Sequence, residues 1–449
     1  MAITTSAPID VDRIRRHFLF PLAGRVVTNN AASTQPPREL LDLFRTLAPE
    51  YENVHRGQSS ASRATTALFE EAYDTIAQFI GAADRSNIVI TRNTTEAHNA
   101  VMYSLMTGFR SGDNVVTTSM EHNSNYVPWY AMCREILPAF GRRVEYRIAR
   151  FDPETGALDL SHLASLIDER TKLVCCTGAS NFLGTKVPLA EVRAIADASG
   201  FRQPSGEEGS LLLIDAAQLS PSGPVHVGDL GVDFLAFSFH KMFAPFGVGV
   251  LYAREPLLLD GLPFLYGGDM VAERGVFADR VEYNRLPRKY AAGTPNILGT
   301  IASAEALRLL LDVTHEGGPD PWSRTRRRIT AQDAVAGMTR VSAHGRLLTQ
   351  RALGRLATLP TATVYGPAEA SERVALIAFN LKGQDPFAVS IRLAEAGVEA
   401  RAGCHCATLA HRHLGLDPLA SVRLSFTIYN STDDVDRALD AVCRIAGQN

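Results

Sequence analysis

Residues 401–413 read RAGCHCATLAHRH: two cysteines flank one histidine, and two more histidines follow within seven residues. Thiols and imidazoles so placed can ligate zinc, fill a core turn or present a reactive thiolate. Cys404, Cys406, His411 and His413 are all candidate zinc ligands. C-x-C followed by H-x-H is not a finger spacing, however, and the histidine pair reads as half-exposed helix surface, so no metal is expected. Far upstream, LLLIDAA (211–217) and VDFLAFSFHKM (232–242) each read as a buried strand ending on a functional group, Asp215 and Lys241. In an open parallel sheet, ligands bind outside the carboxyl ends of the strands. Both residues therefore stand where chemistry would occur.

A lysine in that position can form a Schiff base with a carbonyl cofactor. Pyridoxal phosphate would use both residues: the lysine takes the aldehyde, and the aspartate keeps the pyridine nitrogen protonated, which makes the ring an electron sink. The alternative is that Asp215 caps a turn and Lys241 is a surface lysine. TRNTTEAHNAVMYSL (91–105) offers the phosphate cradle such a cofactor also needs. Thr94 and Thr95 follow a strand at the start of a helix, where hydroxyls and free N–H groups bind phosphate. Alone they would read as a threonine N-cap with Glu96 nearby. With the lysine and the aspartate they favour the cofactor.

The elements that must position these groups alternate. SNIVITR (86–92), DNVVTTS (113–119), KLVCCTG (172–178), the two strands above and VGVLYAR (248–254) read as strands, with helical patterns such as PLAEVRAIADASG (188–200) between several of them. This order predicts βαβ units and a mainly parallel α/β sheet with helices on both faces. After about residue 300 the pattern changes. A helix, IASAEALRLLLDV (301–313), is followed by a break, EGGPDP (316–321), and a long polar helical stretch. Then come VALIAFNL (374–381), a helix around DPFAVSIRLAEAG (385–397), the cysteine loop, VRLSFTIYN (422–430) and a last helix from Ser431, together a compact α+β unit.

A chain of 449 residues is too long for one small core and implies a large domain carrying a smaller one. The net charge of -3 implies no broad attraction to nucleic acid or an anionic membrane. The basic run Arg324 to Arg328 reads as a solvated helix face or loop. No apolar run reaches the roughly 18 residues of a membrane span, and MAITTSAPIDVDRIRRHF lacks the apolar centre of a secretory signal. Six scattered cysteines do not make a disulfide framework. A cytoplasmic protein with reduced thiols is expected.

On these residues the chain resembles the class V aminotransferase group of fold-type I pyridoxal phosphate enzymes, and within it the cysteine desulfurase/selenocysteine lyase branch. The resemblance runs from about residue 25 to the end. It rests on NNAASTQPP (29–37), ENVHRG (52–57), RNTTEAHN (92–99), EHNSNYVPW (121–129), SNFLGT (180–185), IDAAQ (214–218), SFHKM (238–242), AAGTPN (291–296), RAGCHCA (401–407) and VRLSFTIYN (422–430), in the family's order and at similar spacing. It implies a large cofactor-binding domain over residues 31–300 with a mainly parallel sheet of the seven-stranded type. A small α+β domain over 301–449 would carry the cysteine loop, and an N-terminal arm, 1–30, would belong to the small domain.

The resemblance also implies roles. Lys241 is the Schiff-base lysine and moves protons, Asp215 pairs with the pyridine nitrogen, and His122 stacks on the ring. Asn181 and Gln218 sit near the ring. Thr94, Thr95, Ser238 and His240 hold the phosphate, with Thr294 added from a second subunit, which implies a homodimer. Arg423 pairs with the substrate carboxylate. Arg401, Asn30 and Ala31 lie on the substrate side, and His55 and Arg56 near the partner's active-site mouth. The family's loop often reads R-x-G-H-H-C, so Cys406 matches its nucleophile: the thiolate takes sulfur from L-cysteine, alanine leaves, and a persulfide remains for an acceptor protein. Several positions depart from the pattern. Cys404 stands for the first histidine of the loop, Asn123 for a second histidine after His122, Asn29 for an aspartate and Ala291 for a glutamate, and segment 314–341 looks longer or different. The departures keep open a C–S lyase acting by β-elimination on an S-substituted cysteine. A non-catalytic cofactor-binding or sulfur-carrier protein is disfavoured by the full residue set.

Overall fold

The computed structural model describes residues 9–20, 24–203, 205–314 and 328–447. The EGGPDP break and all of the basic run except Arg328 lie outside them.

Seven strands form the central sheet, in the spatial order Ile88–Thr91, Gly249–Ala253, Phe234–Ser238, Leu211–Asp215, Thr171–Thr177, Asn114–Thr118 and Glu145–Ala149. Gly249–Ala253 runs antiparallel to both neighbours, and every other adjacent pair is parallel. The expected α/β class and mainly parallel sheet are present. The strands read as unbroken apolar runs because both faces are covered. Successive side chains point to opposite faces. Leu212, Ile214, Leu235 and Phe237 join one core with residues of helices Ser60–Phe79 and Ile297–Thr314. Leu211, Leu213, Phe234 and Ala236 join another with residues of helices Thr94–Met106 and Asn123–Ala131.

One glycine sets a close approach at the sheet's carboxyl edge. A Cβ on Gly249 would stand 2.6 Å from Asn93 Cα, a distance real side chains do not adopt. Gly249 pairs with Ser238 across the ladder. The glycine thus lets the first turn of helix Thr94–Met106 sit against the end of the strand that leads to Lys241.

The C-terminal part contains an antiparallel sheet in the order Ala362–Tyr365, Leu376–Leu381, Ser421–Ser425 and Arg401–Gly403. Its apolar side chains pack with those of helices Ala331–Leu356, Pro386–Glu395 and Thr432–Ala446. The last helix starts where expected, with Ser431 and Asp434 forming a capping box. Near the N-terminus, Val26–Val27 pairs in parallel with Val398–Glu399. Arg401 stands directly opposite Arg423 in the ladder, so the strand pairing itself brings two cations together.

One expectation is corrected. His411 is not half-exposed surface but fully buried. Its ring stacks on Phe182 at 3.8 Å, and its nitrogens meet Ala407 O and Ser421 Oγ. Helix Thr408–His413 turns that face inward, while His413, two positions on, is exposed. Among the described residues no helix is long and apolar enough to cross a membrane.

Candidate active site

The carboxyl ends of the parallel strands converge on a cavity of about 250 Å³. Thr94 and Thr95 open the helix after Ile88–Thr91, and His122 caps the helix after Asn114–Thr118. Asn181 follows Thr171–Thr177. Asp215 ends its strand, with Gln218 in the turn beyond it. Ser238 ends the next strand, and His240 and Lys241 lie in the single helical turn that follows. Arg401 and Arg423 close the cavity from the antiparallel sheet, His405 closes it from the turn after Arg401–Gly403, and Ala31 lines it from the N-terminal segment.

The site's electrostatics follow from burial. Burial of the Lys241 amine, with Arg423 and Arg401 nearby, pulls its pKa down to about 8 against the opposing pull of Asp215. Burial and Lys241 hold His122 at about 4, and the same two causes hold His240 at about 4. Both imidazoles are therefore neutral near pH 7. Burial lowers even Arg423 to about 9. Its Nη1 donates to Asn181 O at 2.8 Å, while its Nε has no protein partner. Asn181 Oδ1 and His405 Nδ1 are also buried and unpartnered. Such orphans are rare in folded proteins, and all three belong to residues that line the cavity.

Glu121 was not singled out from the sequence, yet it fixes the His122 turn. Its carboxylate accepts from Thr118 Oγ1 at 2.6 Å, Asn125 Nδ2 at 2.6 Å and Thr177 N at 2.9 Å. Burial pushes it up to about 8, against the pull of those three donors. The available signal was an acidic residue directly after the buried strand segment NVVTTSM. His405, quoted only as part of the cysteine loop, also proves to line the cavity.

Other anticipated residues lie elsewhere. Asn30 is buried but spends its amide on the protein: Nδ2 donates to Val27 O, Ser425 O and Asn430 Oδ1, and Oδ1 accepts from Tyr429. Thr294 is exposed. His55 lines a second cavity of about 530 Å³, and Arg56 lies 3.5 Å from Asp269 on its wall. Cys406 sits beside the first cavity, half-buried, with its Sγ 4.0 Å from Arg401 Nη2. Its carbonyl accepts from Asn123 N at 2.6 Å. Among the described residues, no cluster of three or more histidine, cysteine, aspartate or glutamate residues is placed to hold a metal ion.

The family model for class-V aminotransferases matches residues 26–317 and 330–438. The chain belongs to the class-V aminotransferase family. A cysteine desulfurase of Haloferax volcanii is 35% identical over 464 residues, covering 98% of both chains. A probable cysteine desulfurase of Halobacterium salinarum is 36% identical over 452 residues, again covering 98% of each. The apo structure of a cysteine desulfurase from Thermococcus onnurineus superposes with a TM-score of 0.83 at 30% identity, over 98% of this chain and 99% of that one.

The cavity of this class-V aminotransferase fits pyridoxal phosphate on its own chemistry. Lys241, Arg401 and Arg423 face a single carboxylate, Asp215, so the lining carries surplus positive charge for a phosphate and a carboxylate. The helix start at Thr94 adds a dipole end. There Thr94 N and Oγ1 approach Ser238 Oγ at 2.7 and 2.6 Å. The orphaned atoms of Arg423, Asn181 and His405 are further positions for ligand contacts.

Proposed function

We propose that this protein is a pyridoxal-phosphate-dependent cysteine desulfurase that converts L-cysteine to L-alanine and holds the sulfur as a persulfide on Cys406. The position of Cys406 carries the reading. A half-buried thiol lies 4.0 Å from Arg401, beside the cavity that contains Lys241, Asp215 and Arg423.

When bound, pyridoxal phosphate withdraws electrons from the substrate Cα. Lys241 anchors the cofactor and then moves the Cα proton, a task suited to an amine neutral above about 8. Asp215 holds the pyridine nitrogen protonated. His122, a neutral imidazole, would hold the ring together with Asn181 and Gln218, all three of which line the cavity. Thr94, Thr95, Ser238 and His240 take the phosphate, and Thr294 of a second subunit completes it. Arg423 binds the substrate carboxylate; Asn181 O holds its Nη1 and Asn29 Oδ1 lies 3.4 Å from its Nη2, so its Nε alone is without a protein partner. Arg401 and Ala31 wall the substrate side, and the Arg401 guanidinium lies 4.0 Å from the attacking sulfur of Cys406. In a homodimer His55 and Arg56 would stand at the partner's site. An acceptor protein then removes the sulfur. Six free cysteines among the described residues suit a reducing cytoplasm. The pairing of Val26–Val27 with Val398–Glu399 supports an N-terminal arm, up to about residue 30, that belongs with the small domain.

Two measurements test the reading. The purified yellow protein given L-cysteine is expected to form alanine, not pyruvate. Pyruvate with ammonia would instead mean β-elimination and make Cys406 a bystander. Attachment of pyridoxal phosphate to apo-protein, followed by absorbance, needs the neutral amine of Lys241. Its rate is therefore expected to rise about tenfold per pH unit below the amine's pKa and level off above it. With that pKa lowered to about 8 from an ordinary 10.5, a rate still climbing steeply beyond pH 9 would refute the buried-lysine assignment.

A further inference from the structure

We propose that Cys404 is a second sulfur-bearing thiol: the sulfur captured on Cys406 moves to Cys404, which presents it to a thiol acceptor. The inference rests on the desulfurase reading above.

One residue separates the two cysteines, so their Cα atoms lie no more than about 7 Å apart. Both are half-buried and free. Between them the backbone is held in an unusual form: His405 (φ 52°) and Cys406 (φ 56°) are consecutive non-glycine residues in the left-handed region. Such strain persists only where the surroundings enforce it, and the contacts that do so are visible. Asn181 Nδ2 donates to His405 O at 2.6 Å, Asn123 N to Cys406 O at 2.6 Å, and Ala407 N to Cys404 O at 2.7 Å. The His405 ring is buried against Ser421, with Nε2 3.0 Å from Ser421 O. His405 lines the cavity, and its buried Nδ1 has no protein partner.

The two thiols have different neighbours. Cys406 has the guanidinium of Arg401 and acts electrostatically on Lys241 and Arg423, which suits it to capture. Cys404 has a hydroxyl. Thr408 Oγ1 donates to Cys404 Sγ at 3.5 Å and itself accepts from Asn123 Nδ2 at 3.5 Å. An O–H donor supports a sulfur that carries charge during exchange. Both ends of this chain, Asn123 and Cys404, are positions where the sequence departs from the pattern it resembles. The structure joins the two departures through Thr408.

The step balances without an oxidant. The Cys404 thiolate attacks the outer sulfur of the Cys406 persulfide. The bond from that sulfur to Cys406 Sγ breaks as the bond to Cys404 Sγ forms. Cys406 leaves as a thiolate and takes up the proton that Cys404 released. Cys406 is then free to capture a second sulfur while the first waits on Cys404.

The test is the alanine burst of the holoenzyme given L-cysteine without added thiol, with fragment-ion mass spectrometry placing the added sulfur within the peptide that carries both cysteines. The expected burst is two alanines per subunit in the unaltered enzyme, halved in Cys404→Ser and absent in Cys406→Ser, with sulfur found on Cys404 only when Cys406 is present. Thr408→Val is expected to slow appearance of sulfur on Cys404 without slowing its appearance on Cys406. A burst of one with sulfur on Cys406 alone would overturn the proposal, as would a Cys404–Cys406 disulfide or a Cys404→Ser burst equal to that of the unaltered enzyme. If the unaltered enzyme forms neither alanine nor persulfide, the desulfurase reading itself fails.

Discussion

Lys241→Ala is expected to lose the absorbance of attached cofactor and to lower alanine formation by about 10⁴-fold or more. General acid–base groups contribute roughly 10²–10⁴ in rate, and this residue would also supply the anchoring bond. At about 1.4 kcal/mol per tenfold, the loss is at least about 5 kcal/mol of transition-state stabilisation. The fold should survive. Burial opposes the lysine's charge and is the largest influence on its pKa, so removing the amine deletes a cost along with a contact. Unfolding curves of the cofactor-free variant and the cofactor-free parent are expected to agree, since bound cofactor would itself stabilise the parent. Full turnover in a folded Lys241→Ala protein would remove the cofactor assignment, because no second lysine lines the cavity among the described residues.

Cys406→Ser is expected to keep the cofactor absorbance and lose the persulfide, with alanine formation from L-cysteine falling by at least about 10²-fold. A hydroxyl has nearly the volume of the thiol, and the clamps on the loop are backbone contacts: Asn123 N on Cys406 O and Asn181 on His405 O. The left-handed turn should therefore persist. What changes is the nucleophile, since a serine hydroxyl offers almost no anion to attack sulfur, whereas thiols as a class are far more acidic and far more nucleophilic towards sulfur. Absorbance and persulfide thus report separate parts of the site: Lys241→Ala should remove both, Cys406→Ser only the second. Alanine released by Cys406→Ser at the parental rate would assign sulfur removal elsewhere.

Much of the site was legible because its large-domain half is built from strand ends. Apolar runs such as LLLI and FLAF mark buried strands, and polar residues at the end of one or within a few positions beyond it fall at the sheet's carboxyl edge, as Asp215 and Lys241 do. Thr94 and Thr95 were found by the same logic at a helix start. Glu121 was not, because an acidic residue after a strand gives no hint that three donors from two segments will converge on it. His411 was misplaced because the side of a six-residue helix that faces inward depends on what packs there, here Phe182 from far upstream.

The sequence by itself determined the strand–helix alternation, the class of sheet and the residues placed at its carboxyl edge, since hydrophobic periodicity and end-of-strand position are local properties of the chain. Only the tertiary structure decided that the antiparallel sheet would bring Arg401, His405 and Arg423 over that edge, that Asn30 would spend its amide on the protein, and that Asn123 and Cys404 would meet through Thr408. Apart from Thr408 to Cys404, those contacts join segments far apart in the chain, and they are set by how the packed elements fit together, which no short stretch of sequence encodes.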